Sequence, residues 1–420
     1  MLTQKYLIRG VASFIALIKR RELHNPHLKL LVFTGTSGKT TTRDAVAFGL
    51  RSIGQRVESN HVGYTNELGI LLTAFGIPEA SFKQLSTWRA ILRGRFIQNT
   101  YVCIESGADF ADDLPWLLRR FTPHAVFLGG ITHEPWAGNL ERTREQRKRL
   151  IRAIPKDGLI VYDANDEMTS KDVVAAQLTA QTRSISLLSD TNADLILHDW
   201  TRVVYTQPAE DLYNAHDALT LQDNYEDRAS TTFKIQLNRA IFEPQALALL
   251  AAYAFLRTQF PTLRDRLNTL FDDYSFSHNR LQLSRTSSGA LLIEDSYKAT
   301  PFCTTWFLEM AQRIKAKKKI LVLSELRPLE VKVQETYARI GEMSRYFDQV
   351  YFVGPESHFA FLQSTNQRTQ LIKDATAPQF AHQLAQATQK GDAIFLKGSF
   401  RYKLDELREK LTRNEKDLHV

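Results

Sequence analysis

Only two cysteines occur in the 420 residues, Cys103 and Cys303, far apart and without metal-ligand spacing. Neither a disulfide framework nor a structural zinc is expected from them, which points to a reducing compartment such as the cytoplasm. No continuous apolar run approaches the roughly 20 residues that span a bilayer. Internal repeats and low-complexity segments are absent. Basic clusters occur at Lys19-Arg20-Arg21, Arg142 to Arg152 and Lys315 to Lys319, but they are not interleaved with aromatics on one element, so no specific nucleic-acid binding is expected. A net charge of +8 instead suits acidic partners such as nucleotides and carboxylates.

What is present has the composition of a globular protein, 43% hydrophobic and 24% charged, in a chain too long for one core. Alternating strand and helix patterns predict two α/β domains in tandem: an extension over 1–28, a central domain with a mainly parallel sheet over 29–270, and a Rossmann-like C-terminal domain over 277–420. The polar stretch Asp199 to Lys234 reads as meandering strands and loops at one edge, Ala246 to Gln259 as a strongly apolar helix, and Pro261 to Asn279 as the boundary. In the extension, Leu7, Val11, Phe14, Ile15 and Ile18 fall at helical spacing on one face. Arg9 interrupts the run, and Lys19-Arg20-Arg21 ends it where a cleavage site would need small residues. A helix packed on the following domain is expected, with peripheral contact to an anionic membrane, or to another protein, as the alternative.

The segment Leu28 to Phe33 reads as a buried strand and runs into Thr34-Gly35-Thr36-Ser37-Gly38-Lys39-Thr40-Thr41-Thr42, after which a helical pattern begins at Arg43. Strand, glycine loop and helix form a phosphate-binding arrangement: backbone N–H groups close on phosphate oxygens and the helix N-terminus adds positive potential. Lys39 would reach the outer phosphates and Thr40 would place its hydroxyl on Mg²⁺. A generic P-loop has a glycine where this chain has Phe33, and a glycine turn with a solvated lysine is the plainer alternative.

The T-G-T-S-G-K-T-T-T loop resembles the ATP loop of the Mur ligases and their folylpolyglutamate synthase relatives, in which the shortened glycine spacing is usual. The resemblance extends over residues 29–420 and is closest to the branch that adds D-alanyl-D-alanine in peptidoglycan synthesis. Tyr64-Thr65-Asn66-Glu67-Leu68-Gly69 resembles a loop that lies near the metal and the acyl substrate, which makes Asn66 a substrate candidate. Cys103-Ile104-Glu105-Ser106-Gly107-Ala108 resembles the segment whose glutamate binds Mg²⁺, and Thr132-His133 the histidine close to a second ion. A lysine after that histidine is carbamylated in the family and bridges Mg²⁺; Lys148 is the candidate, with a solvated basic helix as the alternative. Asp163-Ala164-Asn165-Asp166 resembles a further turn. The adenine-contacting helix start reads Ile241 to Ala246, where only Gln245 replaces the usual polar contacts.

In the second domain, His278-Asn279-Arg280-Leu281 resembles the segment whose arginine reaches the γ-phosphate. Glu294 to Pro301 resembles the family's D-S-Y-N-A-N-P and D-S-K-A-T-N forms, giving Asp295 and Lys298 as nucleotide contacts. Phe395 to Ser399 resembles a V-K-G-S strand end, giving Lys397 and Ser399 as substrate contacts. Ser324 to Glu330 departs from the family's G-D-M-x-E-L-G, so a changed amine pocket is expected.

Together these imply an ATP- and Mg²⁺-dependent ligase that joins a small or peptide carboxylate to an amine, an amino acid or dipeptide, through an acyl phosphate. Catalytic groups would be Lys39, His133, Lys148 and Arg280. The first strand begins at Leu28, which leaves little chain for the domain that grips uridine diphosphate in cell-wall members. A peptidoglycan-precursor ligase is therefore one alternative, and a non-catalytic nucleotide-binding partner subunit another.

Overall fold

The computed structural model describes residues 2–18, 27–35, 37–60, 67–77, 85–93, 100–106, 113–130, 140–224, 231–326, 333–364, 366 and 368–412. The first part runs α1 (Leu2–Ile18), β1 (Leu28–Thr34), α2 (Lys39–Ser52), β2 (Arg56–Ser59), α3 (Glu67–Ala74), α4 (Leu85–Arg93) and β3 (Thr100–Glu105). It continues with α5 (Asp113–Leu118), β4 (Pro123–Leu128), α6 (Leu140–Arg152), β5 (Leu159–Asp163), α7 (Glu167–Ala175), β6 (Gln181–Ser186) and β7 (Leu195–Trp200). Two helical turns, α8 (Val203–Thr206) and α9 (Ala209–Leu212), precede β8 (Asp217–Asp223), β9 (Thr231–Leu237) and α10 (Glu243–Gln259).

These strands form one sheet in the order β2-β3-β1-β4-β5-β6-β7-β8-β9. Strands β2 to β7 and β1 pair in parallel, and β8 and β9 add an antiparallel edge. β1 is buried along almost its whole length because helices cover both faces. Leu31 and Phe33 point toward α2 and α10, whereas Leu30 and Val32 point toward the layer containing α1 and α3. α10 lies against α2 and is apolar nearly all round, as a helix enclosed on every side must be.

The second part contains β10 (Gln282–Arg285), β11 (Leu291–Asp295), α11 (Pro301–Arg313), β12 (Lys319–Ser324), α12 (Val333–Met343), β13 (Gln349–Val353) and α13 (His358–Gln363). It ends with β14 (Thr369–Ile372), α14 (Pro378–Gln386), β15 (Ala393–Lys397) and α15 (Leu404–Thr412). Its sheet has the order β10-β11-β15-β12-β13-β14, parallel except for the β10 edge.

Packing refines the expected boundary. Leu267, Phe271, Tyr274 and Phe276 are buried in the first core, so the chain leaves that domain only at Ser277. Conversely α8 and α9 give Val203, Val204 and Leu212 to the core of the second sheet. Among the described residues no helix is long and apolar enough to cross a membrane.

Candidate active site

The loop after β1 needs its glycines for space and for backbone conformation. A Cβ on Gly35 would lie 3.0 Å from the Gly129 Cα, and Gly38 has φ 76 at the start of α2. Phe33, where a generic P-loop carries glycine, is instead a core residue, stacked on Phe127 with centroids 4.3 Å apart. The turn therefore begins one residue later, at Thr34. Lys39 donates to the Gly35 carbonyl at 2.6 Å, holding its ammonium over the loop. Gly38 and Lys39 share a cleft with Thr42, Gly129, Asp163 and Leu247, so the ends of β1, β4 and β5 converge there. Thr36 lies outside the described residues; Ser37 is part of the turn and Thr41 is buried in the first turn of α2.

Glu105 ends β3 directly beside Phe33 of β1, as parallel pairing requires. Its carboxylate is not isolated: Arg43 Nη1 lies 2.7 Å from Glu105 Oε1, and both side chains are buried. Arg43 also pairs with Asp44 at 2.6 Å and donates to the Asn60 carbonyl and side chain at 2.8 and 3.1 Å. Asn60 Oδ1 in turn accepts from the Glu105 backbone N–H at 3.2 Å. Burial opposes the Arg43 charge, but Asp44 and Glu105 outweigh it and hold the guanidinium above its ordinary value. Sequence reasoning missed Arg43. A signal existed, since the helical pattern read from the sequence begins at Arg43, and a cation at a helix start faces the positive end of the dipole and calls for a carboxylate partner.

Among the described residues, Arg280 and Ser277 bring the second domain onto the first turns of α2. Arg280 Nη2 donates to Thr40 Oγ1 at 2.8 Å, and its guanidinium lies 4.1 Å over the Tyr297 ring. Ser277 donates to the Asp44 carboxylate. Asn279 and Leu281, on either side of Arg280, both have positive φ, 62 and 50, a conformation that costs energy for non-glycine residues. Gln245 helps to hold this segment. Its Oε1 accepts from the Phe242 N–H at 3.0 Å and its Nε2 donates to the Leu281 carbonyl at 3.3 Å. The structure thus places Gln245 as a buried brace for the Arg280 segment.

Asp295 and Lys397 end adjacent strands and form an ion pair at 2.5 Å. Lys397 is 0% exposed and also donates to the Lys298 carbonyl at 2.9 Å, whereas the Lys298 side chain is exposed. Ser399 donates its backbone N–H to Ser324 Oγ at 3.0 Å, and its own buried hydroxyl has no hydrogen-bond partner among the described residues. In this strand-end group, the Ser399 hydroxyl and the exposed Lys298 ammonium have side-chain capacity left for a ligand.

Asn66 and His133 lie outside the described residues, as do Gly107, Ala108 and 327–330. Lys148 is described, and its Nζ lies 3.9 Å from Asp172 in a groove between α6 and α7, apart from the residues lining the loop cleft. Arg147, also on α6, donates to the carbonyl of Gly129, which lines the cleft.

No protein-family model matches the chain. A curated relative, the UDP-N-acetylmuramoyl-tripeptide–D-alanyl-D-alanine ligase of Bacillus subtilis strain 168, is 22% identical over 396 residues, which is 90% of this chain and 75% of that protein. Among solved structures, the MurF ligase of Thermotoga maritima in complex with ADP superposes with a TM-score of 0.73 at 20% identity, covering 95% of this chain and 83% of that one. The MurC ligase of Thermotoga maritima superposes with a TM-score of 0.62 at 15% identity, covering 95% and 77%. At these identities the structural likeness shows the fold, a mixed α/β architecture shared with the central and C-terminal parts of those ligases.

Proposed function

We infer that this chain, a MurF-like member of the Mur ligase family, is an ATP-dependent ligase that joins a carboxylate to an amine. The observation that carries this is the contact of Arg280 with Thr40, where the second domain delivers a cation onto the phosphate loop of the first. In the reaction a carboxylate oxygen attacks the γ-phosphorus of ATP and ADP leaves. The amine nitrogen then adds to the acyl carbon, loses a proton to solvent, and phosphate leaves with the bonding electrons.

The first step brings anion to anion, so its barrier falls when fixed cations surround the transferring group. Lys39 and Arg280 are those cations, held over the loop from its two sides. Thr40 Oγ1, in the first turn of α2, and the Glu105 carboxylate, at the end of β3 beside β1, are hard oxygen donors, a set that suits Mg²⁺. Bound there, Mg²⁺ would supply further neutralisation of phosphate charge. Arg43 occupies Glu105 Oε1 and fixes the carboxylate, which keeps its second oxygen for the cation. Lys397 and Ser399, at and just beyond the end of β15, are assigned to the substrate side, and Asp295 with Lys298, beside them, to the nucleotide. Asn66 and His133 complete the proposed site as acyl-substrate and second-ion residues. The Lys148 Nζ lies 3.9 Å from the Asp172 carboxylate, which argues against a carbamate on that lysine.

The helix α1 takes no part in this chemistry and is assigned to an anionic membrane surface. Ala12, Ile15 and Ala16 pack into the core, while Phe14, Leu17 and Ile18 are 60%, 71% and 49% exposed. Arg120 donates to Ser13 on the same helix, and burial, then the like charges of Arg119 and Arg9, push its guanidinium below its ordinary value. Exposed apolar side chains beside a concentration of positive charge match anionic lipid.

The test is ADP release with Mg²⁺-ATP against a panel of carboxylates, UDP-muramoyl peptides included, each with and without amino acids or dipeptides. Release that needs both substrates and vanishes in Lys39→Ala supports a ligase. Nucleotide binding with no such release from any pair would favour a binding subunit, and ligation retained by Lys39→Ala would refute the loop's role.

A further inference from the structure

The groups that α6 offers to the nucleotide cleft are set by helix geometry. Residues 147 and 148 are about 100° apart around the helix, so their side chains leave it in different directions. Lys148 faces the α7 groove, where Arg144 already engages Asp172 with bonds of 2.7 to 3.2 Å. A carbamate there would add a negative charge beside the Asp172 carboxylate. Arg147 is 2% exposed and faces the other way. Its Nη2 donates to the Gly129 carbonyl and its Nη1 to Thr169 Oγ1 at 3.3 Å, and Thr169 Oγ1 donates to Asp166 at 2.7 Å.

Gly129 is the underside of the phosphate loop. Its N–H donates to the Thr34 carbonyl at 2.8 Å, and a Cβ on it would stand 3.1 Å from the Ser37 carbonyl oxygen. With Gly35 packed on its Cα, it touches the loop at both ends. Arg147 thus holds a peptide on which the loop rests. Burial pushes its guanidinium down to about 10, which leaves it charged at neutral pH. Its Nε has no hydrogen-bond partner among the described residues, a capacity left over on a buried cation.

We propose that Arg147 is the positioning residue that α6 supplies to the phosphate loop, and that this chain uses no carbamylated lysine on that helix. The proposal rests on reading the Gly35 to Thr40 turn as the nucleotide site. A guanidinium carries its charge without capturing carbon dioxide, so the site should be indifferent to bicarbonate. Its contact through Gly129 acts on the loop's shape, and hence on nucleotide affinity, and not on a reacting atom.

Two measurements on the full chain test this. The first is the carbon-13 spectrum of protein equilibrated with labelled bicarbonate, in wild type and Lys148→Ala. The second is affinity for a fluorescent ATP analogue with Mg²⁺, with and without bicarbonate. No carbamate resonance is expected, and Lys148→Ala should bind within about twofold of wild type, as a half-exposed substitution does. Arg147→Ala should weaken binding roughly tenfold or more, the scale of a charged hydrogen bond, with Arg147→Lys recovering part of it. If Arg147→Ala does not fold, Arg147→Lys and the Lys148→Ala comparison decide. A carbamate signal that disappears in Lys148→Ala, or a loss of affinity in Lys148→Ala matching that of the Arg147 variants, would overturn the proposal. Failure of the wild type to bind the analogue would sink the nucleotide reading instead, and the carbon spectrum would still report on Lys148.

Discussion

Arg43→Met is the most informative single change, because it separates the architecture of the site from its chemistry. Arg43 and Glu105 have side chains only 7% and 9% exposed, and the guanidinium also holds Asn60 in place. Removing the cation leaves the Glu105 carboxylate buried without its partner, which typically costs about 3–5 kcal/mol. Asp44 contributes little to that figure, since its side chain is 25% exposed and can be hydrated. The double variant Arg43→Met with Glu105→Gln removes the stranded charge, so its cost should fall short of the sum of the two single changes by about 1–3 kcal/mol. Urea unfolding followed by far-ultraviolet circular dichroism measures all three without knowledge of the substrate. A single-variant loss below about 1 kcal/mol, or strict additivity in the double variant, would refute the idea that Glu105 is aimed by Arg43.

Other perturbations address the interdomain contact, the pH response and the first helix. Arg280→Ala should lower the rate of ADP release roughly 100-fold while changing nucleotide affinity much less, because its contact at Thr40 would act mainly on transferring charge; stopped-time ADP assays and analogue titration separate the two effects. His124 is half-buried, hydrogen-bonded to Gln259 at 3.0 Å, and held below its ordinary value of 6.5, first by loss of hydration. The unfolded chain therefore binds more protons between the two values, so stability should be complete above about pH 6.5 and fall as pH drops through the folded value. His124→Gln should flatten that part of the pH dependence of the urea midpoint. Phe14→Glu with Leu17→Glu should abolish flotation with vesicles containing phosphatidylglycerol, and wild type should not float with phosphatidylcholine alone; self-association of wild type on light scattering, without flotation, would point to a second copy as the partner.

Periodicity and local motif were enough for the alternation of strand and helix, the parallel sheets and the glycine turn, because each depends on residues near one another in the chain. The strand Leu28 to Thr34, the loop to Lys39 and the helix beyond it could be read in order from their side chains. So could the candidacy of Arg280, Asp295 and Lys397, through spacing that resembles a family. What those side chains touch was a different matter. Lys397 is closed into an ion pair, Gln245 braces the Arg280 segment, and Lys148 turns to Asp172 while its neighbour bonds the Gly129 carbonyl. Arg43 and Glu105, 62 positions apart by their numbering, meet only because β1 lies beside β3 in the sheet. Which of two adjacent helical residues points inward, and which buried charge finds a partner, depends on helix rotation and strand order; both are settled by packing across the whole chain.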